Sequence, residues 1–293
     1  MDRFGSVRGS VKHVTLAATF ALASATGAQA QDIDWPDNPF SLTLPDDLFQ
    51  VTEETRFEKA ERVFFDSMGG IGDELFQIAS FPIREPGTFA LAAAGIGALV
   101  LVDKPTTIAF QEYVIKPVEP FDLRKPIPAL PGTTGDQYVL GAIAANYAYG
   151  FAANDERAQV AALLSTKAFA YSYLTSHVIL KAAFGRLRPV DDLKGHKGPT
   201  GDYSTSPFDW FQGTGIHFDS VTRGTGMPSF HFTLFFSQAR VYSGVYDNYL
   251  IPYGVAAALT LQAAEGHNHW VSEMVAGAVI GTAIGNMVLE NYE

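Results

Sequence analysis

A chain of 293 residues is long enough for one large or two small domains and for a sizeable core. Its formal net charge of −11 excludes the basic footprint on which nucleic-acid binding depends, so no nucleic acid is expected among its partners. The absence of cysteine excludes disulfides, thiolate metal sites and cysteine nucleophiles.

Residues 1–30 read as a secretory signal peptide. Arg3, Arg8 and Lys12 precede an apolar run over residues 14–25, and Ala28-Gln29-Ala30 supplies the small-x-small cleavage site. That run is too short to span a bilayer. Cleavage before Gln31 removes three cations and one anion, which moves the net charge from −11 to about −13. The mature chain is therefore expected outside the cytoplasm, as a periplasmic protein that is soluble or associated with the membrane.

Residues 31–86 form a polar, Asp- and Pro-rich N-terminal extension, and the amphipathic stretch at 54–65 predicts one or two helices there. From residue 87 to the end the character changes to that of a second, helical domain. Apolar, alanine-rich stretches cover residues 88–102, 138–152, 158–183, 229–246, 250–264 and 271–289. Alanine and leucine favour helix and strand-like alternation is sparse, so the expected fold is an all-α bundle of about six core helices. Five prolines mark residues 116–135 as a connection, and 190–226 reads as a long one carrying Trp210, Phe211 and Phe218. Connections of that length serve as lids or specificity loops, or are surface insertions. Only 271–289 is long enough to span a membrane, and it begins beside a proposed catalytic pair; a soluble or peripherally bound bundle is expected.

Three separated segments carry the chemistry. In the first, Lys181, Arg186 and Arg188 cluster at the end of a helix that Pro189 helps to stop, where cations complement the helix dipole and also suit phosphate. In the second, Pro228-Ser229-Phe230-His231 opens an apolar helix. Ser229 there is a natural N-cap, and the same backbone N–H groups form an anion site. In the third, His269 and Glu273 stand four apart on one helical face, so the carboxylate can orient the imidazole. Two cations, a hydroxyl at a helix start and two histidines suit phosphoryl transfer with neither metal nor cofactor. His267-Asn268-His269 also suggests metal, but histidines spaced by two diverge on a helix and no carboxylate cluster accompanies them.

The order Lys181-x6-Arg188-Pro189, Pro228-Ser229-Phe230-His231, then His269-x3-Glu273 followed by Met274-Val275-Ala276-Gly277 resembles the type 2 phosphatidic acid phosphatase superfamily. That group includes bacterial non-specific acid phosphatases and vanadium haloperoxidases, and the resemblance covers roughly residues 88–289. It implies a metal-independent phosphatase acting on a phosphorylated small molecule or a lipid phosphate through a phosphohistidine. His269 would be the nucleophile, His231 the general acid and Glu273 the group orienting His269. Lys181, Arg188, Ser229 and the Phe230 N–H would bind phosphate.

Three departures accompany the resemblance. Phe230 stands where the family usually has glycine, and Glu273 replaces an aspartate. Gln262-Ala263 stands where a Ser-Arg pair is usual, and loss of that phosphate-binding arginine is expected to cost on the order of 10²–10³ in rate. Arg186 and Arg223 are candidates to replace it, and Ala263→Arg is expected to restore it. Arg240 in Arg240-Val241-Tyr242-Ser243-Gly244 mimics the missing motif, but lies roughly 13 Å beyond His231 along a helix. The alternatives are a catalytically impaired relative that binds a phosphorylated ligand and, disfavoured by the modest length, a vanadium haloperoxidase.

Overall fold

The computed structural model describes residues 42–49, 53–123, 133–213, 215–218, 221–266 and 268–292. The segment read as a signal peptide and His267 lie outside the described residues. Helices account for 71% of the described residues and their strand content is nearly nil, which makes the fold an all-α bundle. Residues 39–293 form one compact unit.

The helices follow in chain order. α1 (Arg56–Met68) starts on a reciprocal cap, in which Thr55 Oγ1 accepts from the Glu58 N–H and Glu58 Oε2 accepts from the Thr55 N–H. α2 is Ile71–Arg84, α3 Pro86–Leu101 and α4 Asp103–Phe110. α5 (Gly135–Ala153) pairs with α6 (Glu156–Ser172), which continues through a π-helical stretch, Tyr173–Leu180, into a last turn, Lys181–Phe184. α7 is Phe230–Tyr246, α8 Leu250–Gly266 and α9 Val271–Glu290. The only strands among the described residues are β1 (Arg188–Pro189) and β2 (Tyr203–Ser204), a two-residue parallel pair.

The six apolar stretches predicted as helices are helical, and the single helix expected over 158–183 is broken only by its π-helical stretch. Helix also continues from α4 through Gln111–Ile115 to Phe121, across part of the proline-marked connection. Pro117 follows directly on the π-helical stretch, in which the Lys116 N–H reaches back to the Gln111 carbonyl.

α7 and α9 form the most extensive helix contact, with α6 packed against both. Glycines at 277, 281 and 285 make that contact close. A Cβ on Gly277 would lie 2.6 Å from the Ser229 carbonyl oxygen, and one on Gly281 only 2.2 Å from that of Thr233. One on Gly285 would meet Arg240 Cβ at 2.6 Å. The spacing of four puts all three on one face of α9, so the α7 backbone rests directly on it. The result fixes the start of α7 beside the start of α9, where the Ser229 N–H donates to the Glu273 carbonyl at 3.1 Å.

Around this pair lie two apolar clusters. One joins α6, α7 and α9 through Leu164, Val241, Ile284 and Val288; the other joins α5, α7 and α8 through Val139, Ile143, Phe235 and Ala263. The Lys167 ammonium meets the Glu74 carboxylate at 2.5 Å inside the fold, and the Tyr171 hydroxyl donates to the same carboxylate, which ties α2 to α6. α9 is long and apolar enough to cross a membrane, yet 56% of its apolar window is buried within the bundle. α3 differs: it carries no charge and most of its length is exposed.

Candidate functional site

Ser229 occupies the N-cap position of α7 with extended backbone, but its side chain does not cap the helix. Instead Ser229 Oγ lies 3.3 Å from His269 Nε2. On the other side of the ring, His269 Nδ1 lies 3.0 Å from Glu273 Oε2. That oxygen also accepts from the Trp270 N–H at 3.2 Å, so it is an acceptor and Nδ1 carries the proton. Nε2 is left with its lone pair toward Ser229. His269, Ser229 and Glu273 are 5%, 0% and 0% exposed, so this chain of bonds is shielded from water except on the cavity side.

Two cations approach the same place. Lys181, in the last helical turn before Gly185, is buried, and its Nζ has the His177 imidazole 3.3 Å away. Arg188 follows on β1, with one N–H directed at the Thr225 carbonyl at 3.4 Å and a buried Nε that has no hydrogen-bond partner. Neither cation forms an ion pair with a carboxylate among the described residues. Burial, then the charge of Arg188, pulls the Lys181 ammonium down to about 7, and burial also lowers Arg188. Glu273 draws both the other way, which places the three groups within one electrostatic neighbourhood. Arg188 and His269 both line a cavity of about 550 Å³ that extends past Tyr203, Phe110 and Glu265. Lys181 lines a smaller neighbouring pocket with Thr225, so two buried cations without an ion-paired carboxylate among the described residues make a place for an anion.

Behind Glu273 lies a second layer that the sequence did not disclose. Arg186 is fully buried between Trp210 and Trp270, with its guanidinium carbon 4.6 Å and 5.4 Å from their ring centroids. It donates to Asp103 at 2.7 Å, to Ser272 Oγ at 2.8 Å and to the Pro207 carbonyl, and stands 3.6 Å from Glu273 Oε1. Asp103 in turn accepts from the Ser272 N–H at 2.8 Å and from its hydroxyl. Burial pushes the Glu273 carboxyl up to about 8, against the pull first of Arg186 and then of Arg188.

His231 lies in the first turn of α7, where its Nε2 faces Asp136 Oδ1 at 3.7 Å. That partner comes from the start of α5 and was not singled out from the sequence. Its carboxyl is held down at about 2, chiefly by hydrogen bonding to His231. Phe230 turns its ring into the apolar cluster with Ala263, so its contribution at this point is its backbone N–H at the helix start.

The structure thus joins Ser229, His269 and Glu273 by hydrogen bonds and sets Lys181 and Arg188 beside them. Two other expectations change. Ala263 is buried among Val139, Ile143 and Phe230, so an arginine there would enter an apolar core; its neighbour Ala264 is the residue that lines the cavity. Arg186, expected as a candidate to replace the arginine missing at residue 263, is committed to Asp103, Ser272 and Glu273. Arg223 is exposed, stands 3.6 Å from Asp202 and lines a small pocket with Lys181 and Thr225. Arg240 belongs to the α7–α9 contact, bonded to Asn286 and to the Leu42 carbonyl.

The long connection after β1 folds back beneath the site. Phe211 and Gln212 donate their N–H groups to the Phe184 and Gly185 carbonyls at 2.9 and 2.7 Å, and Leu187 donates to Asp209 at 3.0 Å. Gly185, at φ +53, permits this crossing, because a Cβ there would lie 2.8 Å from the Gly213 nitrogen. Among the described residues no group of three or more His, Asp or Glu is arranged to hold a metal ion. No known protein family, curated protein or solved structure matches this chain.

Proposed function

We propose that this protein is an exported, metal-independent phosphatase that hydrolyses phosphate monoesters or lipid phosphates through a phosphohistidine on His269. The observation that carries the reading is the Ser229–His269–Glu273 chain of hydrogen bonds set beside two buried cations that form no ion pair among the described residues.

In this mechanism phosphate oxygens take the Lys181 ammonium, the Arg188 guanidinium, the Ser229 hydroxyl and the N–H groups at the start of α7. His269 Nε2 attacks phosphorus, and the bond to the ester oxygen breaks as His231 gives that oxygen its proton. Glu273 stabilises the positive charge gained by the His269 ring. Water then attacks the phosphohistidine, neutral His231 accepts its proton, and phosphate leaves. The uncharged, exposed α3 supports association with a lipid surface.

A second reading is a phosphate-binding relative without turnover, favoured by the burial of Ala263 in the core where the phosphate-binding arginine is usual. Turnover of p-nitrophenyl phosphate by purified protein, with and without EDTA and with vanadate, separates the readings. Hydrolysis that persists in EDTA and is blocked by vanadate is the expected result. Vanadate binding without hydrolysis selects the second reading, and activity that EDTA removes and a divalent ion restores rejects the phosphohistidine.

A further inference from the structure

Arg186 is the most heavily bonded cation near the site, yet it faces away from the phosphate position. Its guanidinium is spent on Asp103, Ser272 and the Pro207 carbonyl, and its one approach to the reaction is the 3.6 Å to Glu273 Oε1. That oxygen is buried and has no hydrogen bond, so the neighbouring positive charge is what compensates it. Gly226 closes the remaining side. A Cβ there would lie 2.3 Å from Glu273 Oε1, and the Gly226 N–H donates to the Arg186 carbonyl at 2.9 Å. The glutamate is thereby gripped between a cation and a bare backbone.

We infer that Arg186, anchored by Asp103 and sandwiched between Trp210 and Trp270, is a positioning residue that shifts the His269–Glu273 pair toward an ionised carboxylate and keeps that carboxylate aimed at His269. The inference rests on the reading of His269 as nucleophile. Burial alone would favour a protonated Glu273, which no longer stabilises the positive charge that the ring gains on attacking phosphorus. The charged groups around the pair are Arg186 and Asp103 behind it and Arg188 and Lys181 in front. Arg186 is the strongest of those favouring the ionised form. Asp103 fixes Arg186 from the far side and, through the Ser272 N–H and hydroxyl, fixes the first turn of α9 on which Glu273 stands.

Removing a cation 3.6 Å from the His269–Glu273 pair raises the pH at which the pair loses its proton. The test uses the full chain with Arg186→Lys, Arg186→Met and the double variant Asp103→Asn/Arg186→Met, which avoids leaving Asp103 buried without a partner. Two quantities are read: the pH–rate profile on an aryl phosphate, and the 15N-imidazole titration of His269 by NMR. In Arg186→Met the acid limb and the imidazole titration move up by at least about one pH unit. They move by less in the double variant, and Arg186→Lys lies between wild type and Arg186→Met. A folded Met or double variant whose titration and acid limb coincide with wild type overturns the inference, whatever its kcat. If wild type hydrolyses no ester, the phosphatase reading fails, while the imidazole titration still decides whether Arg186 governs the pair.

Discussion

Lys181 is the residue at which function and stability oppose each other most directly. It is 6% exposed, so solvent screens it little, and its ammonium falls from the ordinary 10.5 to about 7 through burial and then the charge of Arg188. Each pH unit between those values is worth about 1.4 kcal/mol, so holding the charged form in the free protein costs roughly 4–5 kcal/mol below pH 7. Between about 7 and 10.5 the folded state carries fewer protons than the unfolded state, so this contribution to stability rises with pH. Lys181→Met keeps the length of the side chain and removes the charge. It is expected to be more stable than wild type by roughly 4–5 kcal/mol at pH 6, the excess shrinking to about 2 kcal/mol by pH 9. Urea unfolding of both proteins at pH 6, 7.5 and 9 measures the difference, and titrating groups remote from Lys181 cancel because they are common to both. Repeating the pH 6 series with vanadate at a hundredfold excess over its Kd should stabilise wild type by about 2.7 kcal/mol and leave the variant nearly unchanged. A variant that is less stable than wild type at pH 6, or that gains as much from vanadate, would refute the argument that Lys181 is held ready for an anion.

His269→Ala should abolish turnover. His231→Ala should slow alkyl phosphates far more than p-nitrophenyl phosphate, whose leaving group needs little protonation; equal slowing of both would remove His231 as the acid. Ala263→Arg should destabilise the fold by about 2–4 kcal/mol in urea unfolding with no gain in rate, because a guanidinium would displace the packing of Val139, Ile143 and Phe230. The cavity-lining Ala264→Arg is the substitution from which a rate gain is expected, and a faster Ala263→Arg enzyme would contradict the placement of these two residues. Gly281→Ala should cost about 1–3 kcal/mol and reduce kcat, since a Cβ 2.2 Å from the Thr233 carbonyl forces α7 away from α9. Unchanged stability and activity would show that this contact does not position the site.

What was readable in the chain was local. Alanine-rich apolar runs gave the helices because helix formation depends on neighbours a few residues apart. His269 and Glu273 were visible as a pair because four residues on a helix bring side chains together. Ser229 was recognisable at a helix start, although only the fold revealed that its hydroxyl serves His269 and leaves the helix uncapped. The helical residues Lys116–Phe121 escaped because their prolines read as a connection. Asp103, Arg186 and Ser272 meet across more than eighty residues, and Asp136 reaches His231 from another helix. Partnerships of that kind leave no period in a sequence, since they depend on which helix faces which. The same holds for Ala263, whose place in the chain suggests the phosphate but whose side of α8 turns into the core. Burial decided the rest: a lysine at a helix end complements the dipole, and only the packed bundle takes its water away and draws its ammonium down to about 7.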